Sequence, residues 1–136
     1  MKFTLLDGLY AVARLGAHDE VPSWAHRGDF TSVTRTPHEL SIVCDESGVP
    51  YDATAERGWR CLQLEGPIPF ETTGVAARFT GALAARAISV FVVSTFDTDY
   101  VLVKAAKIDA AIEALRDVGY LVHPERSEGS TKAPRP

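Results

Sequence analysis

Residues 88–103 read ISVFVVSTFDTDYVLV, and their polar crest is the first place where this chain could do chemistry. Two β-branched, aromatic-rich runs, 88–94 and 100–103, flank Thr95, Phe96, Asp97, Thr98 and Asp99. Such runs suit a pleated, half-buried surface and predict two strands joined by a short loop. The crest then gathers two carboxylates, two hydroxyls and a ring at one end of a sheet. Reversing the chain needs only a dipeptide such as Asp-Gly. An apolar Phe96 at a loop tip calls for a ligand, a partner or a neighbouring subunit.

A second candidate lies upstream, in Phe70-Glu71-Thr72-Thr73-Gly74-Val75, where a helix is predicted to begin. Free backbone N–H groups and the positive end of the helix dipole favour a carboxylate there. Gly74 would admit close approach to the backbone. The plainer reading is capping of the helix by Thr72 or Thr73. For Asp97 and Thr98 the plainer reading is a local side-chain turn, and for Asp99 a surface ion pair.

Catalytic motifs do not emerge. There is no G-x-S-x-G, no P-loop and no G-x-G-x-x-G. His18, His26, His38 and His123 are far apart with no metal-ligand spacing, and Cys44 and Cys61 form no C-x-x-C. We therefore expect no enzyme, catalytic residue, metal or cofactor. Both cysteines fall in predicted strands and read as buried free thiols rather than a disulfide.

These candidates must be positioned by a chain of 136 residues, the size of one domain or of two very small packed units. A composition 46% hydrophobic and 24% charged is that of an ordinary soluble protein. The formal charge of −4 argues against a broad nucleic-acid surface, which needs a basic stripe. No apolar run approaches the roughly 20 residues of a membrane helix, and the N-terminus lacks a signal-peptide pattern. The expected location is cytoplasmic, with no membrane contact.

In chain order, Asp7-Gly8 between apolar runs predicts a hairpin over residues 3–15. Residues 16–28 read as a loop with one short helical turn, and 30–36 as a strand. Thr36-Pro37-His38-Glu39 has the form of a capping box opening a helix of one or two turns. Residues 40–44 read as a strand, and 51–58 as a connector between two halves. The periodicity is cleaner beyond it. A strand over 59–64 precedes a helix over 72–87, with Val75, Phe79, Ala82 and Leu83 on one face. After the two crest strands comes a helix over 106–118, striped by Ile108, Ile112 and Leu115 and closed by Gly119. A last strand covers 120–123, and residues 124–136 carry nothing to bury and are expected to be disordered.

The order over 59–123 is βαββαβ, a ferredoxin-like α+β arrangement with two helices on one face of an antiparallel four-stranded sheet. Residues 1–58 are strand-rich with only a rudimentary helix. The third strand, DYVLVK, lacks the basic-Gly-aromatic pattern of an RNA-recognition sheet, so the same order gives no RNA reading.

Three segments carry a family resemblance: TRTPHELSIVCDE (residues 34–46), GWRCLQLEGPIPFETTGV (58–75) and VSTFDTDYVLV (93–103). Together they resemble the CASTOR-type ACT domains, small regulatory modules that include amino-acid sensors. The resemblance implies a tandem ACT-like fold, with residues 1–58 an abbreviated first unit, 59–123 the full ACT domain and 124–136 a tail. It also implies an amino acid held between two ACT units. Gly74 and Val75 would take its carboxylate, with Thr73 a further ligand-binding residue. Ser94, Thr95 and Phe96 would contact it, Asp99 would pair with a cationic group, and Ser41, Ile42 and Val43 would offer backbone groups from a strand edge. A basic amino acid is the first expectation, since the crest is acidic and the best-known resembling sensors bind one. A homodimer and a regulated protein partner are expected with it. The rival readings are a constitutive dimeric interaction module without a ligand, and a regulatory subunit for an amino-acid biosynthetic enzyme.

Overall fold

The structure, a computed structural model, describes residues 1–124. The expected tail, apart from Pro124, lies outside the described residues. Eight strands and two helices follow in the order β1 (Lys2–Leu5), β2 (Tyr10–Leu15), β3 (Ser32–Arg35), β4 (Leu40–Asp45), β5 (Ala55–Leu64), α1 (Val75–Ala84), β6 (Phe91–Ser94), β7 (Asp99–Lys104), α2 (Ile108–Asp117) and β8 (Leu121–Pro124). The fold is α+β. The chain divides into two compact units, one of Gly8–Trp59 and one of Met1–Asp7 together with the chain from Arg60 onward.

In the second unit the expected βαββαβ order is present as β5, α1, β6, β7, α2 and β8. The sheet carries one strand more than expected. β1 lies between β5 and β8, antiparallel to the first (Phe3 opposite Leu64) and parallel to the second (Lys2 opposite Leu121). On the other side β7 pairs with β5 and with β6, Val92 facing Val101. The sheet is therefore mixed, not wholly antiparallel.

The hairpin expected over residues 3–15 does not form, because β1 takes β5 and β8 as partners. The gain is burial. Phe3 is fully buried, edge-on to Phe79 at 5.6 Å and 5.1 Å from Tyr120. Both helices lie over this face, α1 through Phe79 and Leu83 and α2 through Ile108, Ala111, Ala114 and Leu115. Beneath them are alternate strand residues, Leu62 and Leu64, Val101 and Val103, and Val122. Gly119 closes α2 with φ +100, as the sequence predicts. Arg86 of the segment after α1 pairs with Glu113 at 3.7 Å and with Asp117 on α2.

The unit Gly8–Trp59 is strand-rich and has no α-helix. Its strand order is β3, β4, β2 and the first half of β5, all antiparallel. Ala11, Ala13, Leu40, Ile42 and Cys44 bury one face beneath a 3₁₀ turn at Ser23–His26 that contributes Ala25. The connector expected over 51–58 is partly strand, because β5 begins at Ala55.

Thr36-Pro37-His38-Glu39 opens no helix. The Thr36 hydroxyl accepts from the N–H groups of His38 and Glu39, both at 3.1 Å, and the Thr36 N–H donates to the Glu39 carbonyl at 2.9 Å. These are the bonds of a helix cap put to another use. They close the β3–β4 hairpin, because Leu40 and Ile42 gain complete burial as a strand.

Candidate ligand-binding site

The crest and the start of α1 meet in one cavity of about 330 Å³ in the second unit. That is the lower end of the range of small-molecule sites. One wall is the first turn of α1, with Gly74, Val75, Ala76 and Ala77. The facing wall is the crest, Ser94 to Asp99, and the Pro-rich segment that follows β5 supplies Ile68, Pro69 and Phe70.

The α1 wall has the chemistry of a carboxylate site. Gly74 is the capping residue in a left-handed conformation, φ +79, and an added Cβ there would meet open space. No side chain caps the helix, and its first turn holds no acidic residue. Capping by Thr72 or Thr73 is thus corrected: both are exposed, and helix capping falls to a glycine backbone. The first intrahelical bond runs from the Arg78 N–H to the Gly74 carbonyl at 3.1 Å, so the N–H groups of Val75, Ala76 and Ala77 precede it. Those three residues all line the cavity.

The crest is a four-residue loop, because Asp99 already pairs with Ser94 as the first residue of β7. Thr95 organises it. Its N–H donates to the Thr98 carbonyl at 2.8 Å, and its hydroxyl accepts from the Thr98 N–H at 3.3 Å. The turn is therefore built on Thr95, where an aspartate-based turn at Asp97 was the expectation. Asp97 and Asp99 bring negative charge to the cavity, and no Lys or Arg is among the described residues lining it. Phe96 is 79% exposed and packs against Phe70, itself 71% exposed, with ring centroids 4.7 Å apart and the rings tilted by 59°.

The predicted site residues are thus divided. Gly74, Val75, Ser94, Thr95, Phe96 and Asp99 line the cavity, and Thr73 does not. Ser41, Ile42 and Val43 lie on β4, in the other unit. They offer no strand edge, because β4 is paired on both sides, to β2 and to β3. Their side chains run from half-buried Ser41 to fully buried Ile42. One unit brings the crest and the helix start together. Ile68 and Pro69 escaped the sequence reading, which took Phe70 only as the first residue of the helix entry. The available signal was an aromatic in a Pro-rich segment just ahead of the helix.

Among the described residues no three His, Cys, Asp or Glu side chains gather to hold a metal. Cys44 and Cys61 are free and buried, and burial pushes the Cys61 thiol up to about 12, away from reactivity. No described helix is long and apolar enough to cross a membrane.

Comparison with known proteins agrees with this geometry. The ACT domain family profile matches residues 54–117, and a second profile, of an N-terminal domain, matches residues 8–52. The human cytosolic arginine sensor for mTORC1 subunit 1 is 39% identical over 85 residues, which is 57% of this chain and 26% of that protein. The chain thus spans about a quarter of the length of the curated relatives it matches. The crystal structure of protein Atu0741 from Agobacterium tumefaciens aligns with a TM-score of 0.86 at 39% identity, covering 91% of this chain and 92% of that one. The regulatory subunit of aspartate kinase from Thermus flavus shares the fold, with a TM-score of 0.61 at 12% identity over 86% of this chain and 96% of that one. The chain belongs to the CASTOR-type ACT domain proteins.

Proposed function

We propose that the protein is a cytoplasmic sensor that binds a free amino acid in this cavity and thereby changes its association with a partner. The observation that carries the reading is the pairing, in one cavity, of a helix N-terminus that no side chain caps with two crest carboxylates. A zwitterion complements both. Its carboxylate would meet the N–H groups of Val75, Ala76 and Ala77, with the helix dipole behind them. Its ammonium, or a cationic side chain, would meet Asp99 and Asp97, and the apolar part would lie along Phe96, Phe70 and Ile68. A basic amino acid fits the charge of the lining best, and the similarity to an arginine sensor favours the same class.

No reaction is implied. Signalling would come from differential affinity of the ligand for two states of association. The partner we propose is a second copy of the chain, and beyond it a regulated protein such as an amino-acid biosynthetic enzyme.

The test is thermal unfolding of the purified protein against each proteinogenic amino acid at millimolar concentration. A ligand at 100 times its Kd adds about 2.7 kcal/mol by mass action. The expected result is a rise in Tm of several degrees confined to one chemical class and lost in Asp99→Ala. No shift with any amino acid would refute sensing by this chain alone.

One observation favours the second reading, a constitutive interaction module. Phe70 and Phe96 expose a contacting aromatic pair of the kind that interfaces bury. In that case Phe96→Ser would dissociate the protein in sedimentation equilibrium, whether or not any amino acid is added.

A further inference from the structure

The crest lines the cavity, yet the residue that fixes it faces inward. Thr98 is only 7% exposed. Its hydroxyl donates to the Leu64 carbonyl at 2.6 Å, at the end of β5. Its own carbonyl accepts from the Thr95 N–H at 2.8 Å and from the Thr95 hydroxyl at 3.1 Å. One residue further back, the Asp97 carbonyl accepts from the Ile68 N–H at 2.8 Å. Gly66 lies against the same place. A Cβ added to it would stand 2.9 Å from the Asp97 carbonyl oxygen and 3.0 Å from the Thr98 Cβ.

These contacts bind the crest to the segment that runs from the end of β5 to Phe70. Phe96 projects from one and Phe70 from the other, so their separation is set by how closely the two backbones are held. A loop of this length with an exposed aromatic tip would otherwise sample many conformations. A ligand site on it needs a scaffold that fixes the geometry before the ligand arrives.

We propose that Thr98 is the positioning residue of the amino-acid site: through the Leu64 carbonyl it holds the crest against the segment containing Ile68 and Phe70, with Gly66 providing the room. This rests on the reading of the cavity as an amino-acid site. Thr98 touches the cavity wall, but its hydroxyl is spent on Leu64. Its contribution is to place Thr95, Phe96 and Asp99, and ligand chemistry falls to them.

The test compares wild type, Thr98→Ser, Thr98→Val and Gly66→Ala in the full chain. The readouts are Tm without ligand and calorimetric titration with the amino acid that shifts the wild-type Tm most. Thr98→Ser keeps the hydroxyl and should bind within about threefold of wild type. Thr98→Val keeps the shape, removes the hydroxyl that donates to the Leu64 carbonyl, and should lose affinity by roughly tenfold or more. Gly66→Ala should lose affinity comparably by displacing the crest. Hydrogen exchange at the Ile68 and Thr95 amides should quicken in Thr98→Val, while amides in α2 keep their protection. Thr98→Val binding as tightly as wild type would overturn the proposal and leave the site intact. Equal loss in Thr98→Ser and Thr98→Val would overturn it too, since the hydroxyl would then be irrelevant. A wild-type protein that binds no amino acid would overturn the site itself, a different failure.

Discussion

Ala87 holds after α1 the place that Gly119 holds after α2. The Ala87 N–H donates to the Ala84 carbonyl at 2.9 Å and the Ile88 N–H to Leu83 at 3.1 Å. At the end of α2 the same pair runs from Gly119 to Arg116 at 3.0 Å and from Tyr120 to Leu115 at 3.1 Å. Both are the double bond of a left-handed helix stop, with a buried side chain, Ile88 or Tyr120, seated after it. Ala87 adopts φ +59 to do so, a conformation that costs an L side chain about 1–2 kcal/mol.

Ala87→Gly should therefore stabilise the protein. Relief of that cost outweighs the entropy of a freer unfolded chain by roughly 0.5–1 kcal/mol. The measurement is Tm by circular dichroism, with a rise of a few degrees expected. An unchanged or lower Tm would mean that the backbone there carries no strain.

Ala76→Glu separates helix stability from ligand binding. An acidic side chain in the first turn of α1 complements the dipole and should add about 0.3–1 kcal/mol. It should also place a like charge where a ligand carboxylate would sit. Tm without ligand should hold or rise, while the amino-acid-dependent shift disappears. A shift retained in full would move the carboxylate away from α1.

The buried thiols make stability depend on alkaline pH. Cys61 ionises at its ordinary value near 9.0 in the unfolded chain but only near about 12 when folded, because burial penalises the thiolate. Burial raises Cys44, Tyr100 and Tyr120 as well. Between these values the folded state holds the proton and the unfolded state does not. The contribution is fully present below pH 9 and is lost as pH rises, at up to about 1.4 kcal/mol per pH unit for one group. Urea unfolding from pH 8 to 11 should show the decline, and Cys61→Ala should flatten its slope. A slope unaltered in that variant would assign the effect to other groups.

How much of this was legible in the sequence depended on how far each residue's partners lie along the chain. Ile108, Ile112 and Leu115 mark α2 because helix partners are local, and Gly119 marks its end for the same reason. The crest was legible as a loop of unusual chemistry. What failed was a local signal overruled at a distance. Asp7-Gly8 has the form of a hairpin turn, but Phe3 finds deeper burial against Phe79 and Tyr120 than any hairpin offers. Thr36 has the form of a helix cap, but Leu40 and Ile42 are worth more in β4. Thr98 was illegible as a positioning residue because its partner, the Leu64 carbonyl, is a backbone group that any residue would carry. Asp99 and Gly74 were legible in kind, as acid and as open backbone, but that one cavity holds both is a property of the fold.

Phe3 tests that distant burial directly. Phe3→Ala should cost about 3–5 kcal/mol, a large part of an ordinary domain's stability. The helical signal at 222 nm reports the second unit, since α1 and α2 both belong to it. Its urea midpoint should fall sharply. A midpoint near that of wild type would mean that β1 is dispensable.

The position of β1 also governs how the protein is made. Residues 2–5 are laid beside residues 121–124, so the sheet of the second unit joins an early segment of the chain to a late one. Pairings so remote in sequence carry a large loop-closure cost and slow folding. On the ribosome, β1 emerges well before β5 and β8 and must stay uncommitted while the segment Gly8–Trp59 is synthesised. During that interval Phe3 is an apolar side chain without the sheet that buries it in the folded protein.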